Sequence, residues 1–342
     1  MSLKNLSAKI KIPKVLKNKL NNEKICQIYK EFAKAVSINE NFIVAVSGGP
    51  DSLALAFLSK IYSIQKKLKV RFYIIDHKLR SESTIEAKYV KKILNKFQIN
   101  TEILYWQGKK PTNNIQSVAR TKRFELLLSK CKKHGITHIL LGHHQEDLFE
   151  NFFIRILRGS GLKGLISLGK KTKLQNVTIL RPLINQKKDN LVFISKKVFD
   201  FYVKDPSNND EKFQRVRIRK LLNGLKKDGL NQKKFFKTIE NLKKTNDVVN
   251  YYVKKNLENN SFFSHTKKHL ILNDRFFKQP HEIVFRSLSD SLNFVSKKYY
   301  SVRGKKIDKI IKDIQNSSFS KSTLGSCLVE KVNQTVIISK EH

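Results

Sequence analysis

The run at residues 41–58, NFIVAVSGGPDSLALAFL, most constrains what this chain can fold into. Phe42-Ile43-Val44-Ala45-Val46 reads as a buried strand. Ser47-Gly48-Gly49-Pro50-Asp51-Ser52 then turns the chain into a helix whose apolar residues are Leu53, Leu55, Ala56, Phe57 and Leu58. Strand, glycine turn and helix in that order build an anion site. The N–H groups of the first helical turn have no acceptor within the helix, and the helix dipole favours negative charge beside them. Gly48 and Gly49 let a phosphate approach the main chain without a Cβ in the way. Pro50 suits a first helical position, where its missing N–H is no loss. No Lys followed by Ser or Thr closes the loop, so it is not a Walker A sequence. Instead Asp51 stands where phosphate should lie. A carboxylate there requires a cation between itself and the anion, and Mg2+ bridging Asp51 to phosphate oxygens is the natural solution. The plainer alternative is an ordinary turn in which Asp51 or Ser52 serves the helix start.

Residues 70–75 form a second buried-strand run, ending in Asp76-His77-Lys78-Leu79-Arg80. Ligands of open α/β sheets bind outside the carboxyl ends of strands, which places Asp76 and His77 for nucleotide contact unless the loop is merely solvated. A helix over 113–134 carries Arg120, and spacing leaves open whether that side chain faces the site or solvent. The strand at 136–141 ends in Gly142-His143-His144-Gln145-Glu146-Asp147. That spacing is not the HExxH arrangement of a zinc site. It fits a polar cluster in which Asp147 shares Mg2+ with Asp51 and a histidine donates to phosphate oxygens. The glycine-rich loop with Arg158 and Lys163 suits phosphate or RNA backbone, and equally a hinge. Arg215, Arg217 and Arg219 alternate; they share one face if extended and spread over an arc if helical. Either arrangement could clamp phosphates.

Strands alternating with helices up to residue 184 predict an α/β fold with a doubly wound parallel sheet. The expected organisation is a basic N-terminal arm at 1–21 and a catalytic domain at 22–220. A second, mainly helical basic domain at 221–342 is expected to end in a short C-terminal β-hairpin. Residues 232–258 read as a Lys-rich amphipathic helix, 262–272 as a hairpin-like piece, about 275–294 and 302–315 as two more helices, and 323–331 and 334–339 as the closing strands. Phe262, Phe263, Tyr299 and Tyr300 could stack on bases or pack a core. Lys and Arg number 69 against 28 acidic residues, a formal charge of +41. That surplus calls for a polyanionic partner, most simply nucleic acid. No run is long enough to span a membrane, and residues 1–20 lack the apolar core of a signal peptide. Cys26, Cys131 and Cys327 are far apart with no CxxC, which argues for a reducing cytoplasm and against a zinc ribbon.

SGGPDS after a hydrophobic strand resembles the pyrophosphate loop of the N-type ATP pyrophosphatases, known as the PP-loop superfamily. DHKLRSES, ARTKRFELL, GHHQEDLFENFFIRILRGSGLKGL, RPL, DPSN and RVRIR follow in order. With the loop they resemble the tRNA(Ile)-lysidine synthetase family over roughly residues 40–220, and TLGSCLVEK is similar to a later family segment. The chain departs from the family pattern at Gly142, Glu146 and Val216. The resemblance implies ATP and Mg2+ as cofactors, and tRNA(Ile) with a CAU anticodon and free L-lysine as partners. The implied product is lysidine at the wobble cytidine, formed through an adenylated cytidine. For that reaction, position in the chain suggests roles for residues here. Ser47, Gly48, Gly49, Pro50, Asp51, Ser52, Asp76 and His77 would bind ATP, with Asp51 and Asp147 on the metal. Asp51, Asp147, Arg120, Arg217 and His143 would be catalytic. Arg158, Lys163, Arg215 and Arg219 would meet RNA, and Glu146 and Glu150 the lysine.

Overall fold

Strand β1, Phe42–Val46, lies in the middle of a six-stranded sheet and is buried on both faces. Its alternation sends Phe42, Val44 and Val46 into one core and Ile43 into another, with Ala45 packed against the second. The computed structural model describes residues 12–108, 115–206, 210–297, 302–316 and 319–341. The chain divides into two compact units, Met1–Gln232 and Lys233–His342.

In the first unit the sheet also contains β2 (Val70–Asp76), β3 (Thr101–Tyr105), β4 (His138–Leu140), β5 (Lys171–Leu174) and β6 (Val177–Leu180). Their order is β3-β2-β1-β4-β6-β5. All pairs are parallel except β5 with β6. The doubly wound expectation holds, with one antiparallel edge strand added. The chain runs outward from β1 through β2 to β3, then returns to the other side of β1 as β4. The order therefore reverses between β1 and β4, and a crevice opens at the carboxyl ends of those strands. Ser47–Ser52 follow β1 and Gly142–Asp147 follow β4, so the topology brings the two motifs together.

The helix Pro50–Gln65 starts at Gly49 with Pro50 in its first turn, as the sequence predicts. Leu53 through Leu58 are all fully buried, so this helix is enclosed rather than laid on a surface. Each such large apolar side chain contributes about 1.5–3 kcal/mol of burial. That rigid packing fixes the helix N-terminus against the sheet. Gly142 permits the close approach of the second motif. A Cβ there would stand 3.1 Å from the carbonyl oxygen of Asp51.

Several expectations need correction. Residues 14–20 are not an arm: Lys14–Leu20 is a helix whose Leu16 and Leu20 are buried in the first core. Residues 1–11 lie outside the described residues. The first unit extends to Gln232 rather than 220, because the helix Gln214–Lys227, which carries RVRIR, packs on the helix Gln145–Ile156. The short β5, KTKL, has no apolar pattern to announce it; buried Arg181 donates to Gly169 O at 3.0 Å and to Thr172 Oγ1 at 2.8 Å beside it.

The second unit joins a hairpin near 262–272 to the closing strands. It holds a five-stranded antiparallel sheet in the order β7-β8-β11-β10-β9. These strands are β7 (Ser261–Ser264), β8 (His269–Leu272), β9 (Lys321–Leu324), β10 (Cys327–Val332) and β11 (Thr335–Lys340). The run at 323–331 splits because Gly325 and Ser326 turn through positive φ, +65° and +63°. The helices His281–Ser296 and Gly304–Gln315 share a core with this sheet, including Leu272, Phe276, Leu288, Ile311 and Ile338. The long helix Gln232–Asn260 joins it through a polar seam: buried Arg286 donates to Asn246 Oδ1 at 2.7 Å and to Glu282 Oε1 at 2.7 Å. Of the aromatic candidates, Phe263 packs edge-on against Phe294, whereas Phe262 is 67% exposed. Tyr299 and Tyr300 lie outside the described residues.

Candidate active site

A cavity of about 410 Å3 opens at the crevice. Ser47, Asp51 and Ser52 line it from the glycine loop, Asp76, His77 and Arg80 from the end of β2, and Gly142, His143 and Asp147 from the end of β4. Arg120, Arg123 and Arg215 reach it from two helices. The loop holds its own shape. The Ser52 hydroxyl donates to Gly49 O at 2.9 Å and accepts from Ser47 N at 3.1 Å. Gly48 takes φ +85°, which a side chain rarely adopts.

Asp51 and Asp147 meet across one imidazole. His144 Nε2 stands 3.5 Å from Asp51 Oδ2 and 3.4 Å from Asp147 Oδ2, while Nδ1 is 3.0 Å from Glu146 Oε2. Burial opposes a charge on His144, but these carboxylates overcome it and push the imidazole up to about 10. The Asp147 carboxyl lies below the usual carboxylate range: burial raises it, and the two histidines and the His144 N–H outweigh that. Asp51 Oδ1 is buried with no hydrogen-bond partner. Two close carboxylates with an orphaned oxygen on a cavity wall are a hard-oxygen donor set, and they fit Mg2+. Among the described residues no group of three or more His, Cys, Asp or Glu is set to hold a metal. A magnesium ion here would therefore complete its shell from phosphate oxygens and water, as that ion commonly does.

Arg120, Arg123 and Arg215 line the same cavity. Burial, with Arg120 and Arg215 nearby, pushes the Arg123 guanidinium down to about 10, and its Nε has no partner. Burial beside Arg181, Arg123 and Arg215 pushes His143 down to about 3 despite Asp147. His143 is thus a neutral imidazole at physiological pH, able to donate one hydrogen bond without adding charge. Guanidinium groups converging on a polar cavity, with Arg123 and Arg215 half-buried, favour an anion between them.

Asp76 lines the cavity, yet its carboxylate already accepts from Lys78 N at 2.9 Å, Ser83 Oγ at 2.8 Å and Thr84 Oγ1 at 2.5 Å. Burial raises this carboxyl, and those donors outweigh it and hold it below its ordinary value. The resulting stability is present above the unfolded pKa near ~3.9 and is lost as pH falls through the lower folded value. Asp76→Asn should therefore cost about 2 kcal/mol at pH 7. In urea titrations the gap from wild type should narrow below about pH 4. His77 packs edge-on against Trp106, with ring centroids 6.1 Å apart.

The structure gathers Ser47, Asp51, Ser52, Asp76, His77, Arg120, His143 and Asp147 at one cavity. It separates others. Arg217 is exposed and donates to the carbonyls of Glu211 and Lys212 at 2.7 and 3.1 Å; Arg215 faces the cavity instead. The arginines lie on a helix, so steps of two residues point them in different directions. Arg219 donates through Nε to Glu150 Oε1 at 2.5 Å, and Glu150 is 2% exposed. Glu146 accepts from Lys188 N at 3.1 Å as well as meeting His144. Arg158 and Lys163 are exposed, and Arg158 donates to Gln214 Oε1 at 3.1 Å. Sequence reading missed Arg123 and the bridging role of His144. Arg123 lies three residues from Arg120 on one helix, and only packing shows that both reach the cavity.

A PP-loop domain family matches residues 18–225. The tRNA(Ile)-lysidine synthase of Orientia tsutsugamushi (strain Boryong) is 35% identical over 319 residues, covering 89% of this chain and 70% of the relative. That of Wolbachia sp. subsp. Brugia malayi (strain TRS) is 30% identical over 311 residues, covering 89% and 71%. Among solved structures, the U34-tRNA thiolase NcsA from Methanococcus maripaludis, described with its [4Fe-4S] cluster, has a TM-score of 0.56. It is 18% identical, over 66% of this chain and 80% of that one, so the likeness concerns the fold alone. The glycine loop, the paired carboxylates and the cavity arginines all fall inside the matched PP-loop span, and the similarity to curated relatives runs on past it. The chain belongs to the tRNA(Ile)-lysidine synthase family of PP-loop enzymes.

Proposed function

We propose that this chain ligates free lysine to C2 of the wobble cytidine of tRNA(Ile) with a CAU anticodon, converting ATP to AMP and pyrophosphate and changing decoding from AUG to AUA. The observation that carries the reading is the pairing of Asp51 and Asp147 beside the glycine loop, in one cavity with Arg120, Arg123 and Arg215. Such a cavity suits a triphosphate whose α-phosphate is to be attacked.

The C2 carbonyl of cytidine is a poor electrophile, so its oxygen must first become a leaving group. That oxygen attacks the α-phosphate, the bond to the β-phosphate breaks, and pyrophosphate departs. The lysine ε-amine then attacks C2, AMP leaves, and the amine loses a proton. The loop amides of Gly48, Gly49, Asp51 and Ser52 cradle the phosphates. Asp51 and Asp147 would hold Mg2+, which when bound would supply charge neutralisation. Arg123, Arg120 and Arg215 receive the charge that develops on the departing phosphates, and neutral His143 donates to them. The cytidine reaches the cavity by leaving the anticodon loop, where little pairing is broken.

Lysine arrives with an ε-amine whose reference pKa is about 10.4, so a base must take its proton. Glu150 lies one helical turn from Asp147. Burial raises its carboxyl although the Arg219 contact lowers it, and Arg219 fixes its orientation. Of the two candidates Glu150 has the raised carboxyl and Glu146 the lowered one; Glu150 does not line the cavity, so accepting the proton requires its Arg219 contact to part. The partner is polyanionic, in keeping with the charge of +41, and no helix among the described residues is long and apolar enough to cross a membrane. Work in the cytoplasm, where tRNA, ATP and lysine meet, accords with three buried free cysteines.

One incubation tests the function: tRNA(Ile) transcript, ATP, Mg2+ and radiolabelled lysine, followed by nucleoside analysis. The label should appear in lysidine, with AMP and pyrophosphate released only when tRNA is present. A thiolated nucleoside as product, or tRNA-independent pyrophosphate release, would contradict the reading.

A further inference from the structure

The segment after the helix Lys188–Phe199 is fastened to the glycine loop in a way the proposed reaction does not use. Phe199 packs edge-on against Phe97 and Phe57, with ring centroids 4.8 and 6.5 Å away. Asp200, at φ +54°, ends the helix and turns the chain. Phe201 then packs edge-on against Tyr89 at 4.9 Å. Val203 N donates to Gly48 O at 2.9 Å. Asp205 Oδ1 stands 3.8 Å from Arg80 Nη1, and Arg80 is held by Glu86 at 2.8 Å. Phe201 and Asp205 attach through their side chains, and Val203 through its main-chain N–H with Cγ2 beside Gly48.

We propose that residues 201–205 are a brace that aims the Gly49 N–H at the nucleotide phosphates, with Val203 as the positioning residue; this rests on the loop being the ATP site. The argument is geometric. In a planar trans peptide the carbonyl and the following N–H point in opposite directions. Val203 holds the Gly48 carbonyl from outside the loop, so the Gly49 N–H of the same peptide faces the other way, toward the anion. Among the described residues the Gly49 N–H has no protein acceptor. The outside of the loop is also filled. A Cβ on Gly48 would sit 2.7 Å from Val90 Cγ2 and 2.9 Å from Val203 Cγ2. The peptide therefore has little room to flip. The Ser47 N–H is spent on Ser52 Oγ within the loop, so the orientation of this one peptide sets how many amides meet the phosphate. The Asp205–Arg80 contact closes the far end of the brace beside the cavity that both residues line.

The test uses the full chain and direct binding of a non-hydrolysable ATP analogue with Mg2+. Val203→Pro removes the N–H, whereas Val203→Ala keeps it. The proline variant should bind the analogue about tenfold more weakly than the alanine variant, the size of one positioned hydrogen bond. Asp205→Asn should weaken binding about threefold, and Asp205→Glu should restore it. In turnover the proline variant should raise the KM for ATP and leave the KM for lysine unchanged. Equal analogue affinity in the proline and alanine variants would overturn the brace. Should the proline variant not fold, hydrogen exchange at the Val203 amide of the wild-type chain decides: it should be protected without nucleotide, and exchange at the open-chain rate contradicts the proposal. A wild-type chain that fails to bind the analogue would sink the ATP reading instead, and the exchange measurement still tests the brace.

Discussion

Asp51→Asn should lower tRNA-dependent pyrophosphate release by about a thousandfold while leaving tRNA affinity unchanged. The side chain keeps its shape, so the loss isolates the charge. With Asn at 51, the His144 imidazolium and the guanidinium groups would face the triphosphate with one carboxylate fewer to hold a cation. Asp147→Asn should behave alike for a second reason. Asp147 Oδ2 accepts from His144 N at 3.0 Å at the start of its helix, and that contact orients the imidazole toward both acids. Pyrophosphate assays and filter binding of tRNA separate the two effects. Wild-type release in either variant would remove that residue from the metal pair.

The second large effect should appear in RNA binding. Lys237, Lys244 and Lys255 are exposed on the long helix Gln232–Asn260, and Lys255 lies 5.4 Å above the ring of exposed Tyr251. The triple substitution to Gln should weaken tRNA binding by about tenfold to a hundredfold at low salt, and reduce the salt slope of log K by about two to three. Each lost lysine removes one phosphate contact and the counterion it displaced. A fluorescence titration across salt concentrations reads both quantities. An unchanged slope would move the RNA surface off this helix. The catalytic cavity should be untouched, so pyrophosphate release at saturating tRNA should stay near wild type.

The glycine loop was legible because its determinants are adjacent in the chain. A hydrophobic strand, two glycines, Pro50 and an enclosed helix specify one local geometry. The meeting of that loop with Asp147 was legible because parallel α/β topology fixes which strand ends share a crevice. Side-chain direction on helices was not. Arg215, Arg217 and Arg219 differ by whole residues in sequence, but the helix phase that turns Arg215 inward is set by Val216, Ile218 and Leu222 packing into the first unit. The same holds for Arg123 beside Arg120. The strands of the second sheet were legible as a hairpin near 262–272 and a closing pair, but their joining into one sheet was not. Its β8 pairs with β11, so Leu272 lies opposite Val336, a contact between segments too distant for any local pattern to announce. The helix Lys14–Leu20 shows only two buried apolar residues, four apart, in a run of lysines, and that reads as a solvated arm until a core is placed beneath it.

Placement of the nucleotide decides the account most directly. Crystals of the full chain grown with a non-hydrolysable ATP analogue and Mg2+ should show the phosphates against the amides of Gly48, Gly49, Asp51 and Ser52, a metal ion between Asp51 and Asp147, and the adenosine toward Asp76 and His77. A triphosphate lodged in any other crevice, with the glycine turn left to solvent, would contradict it.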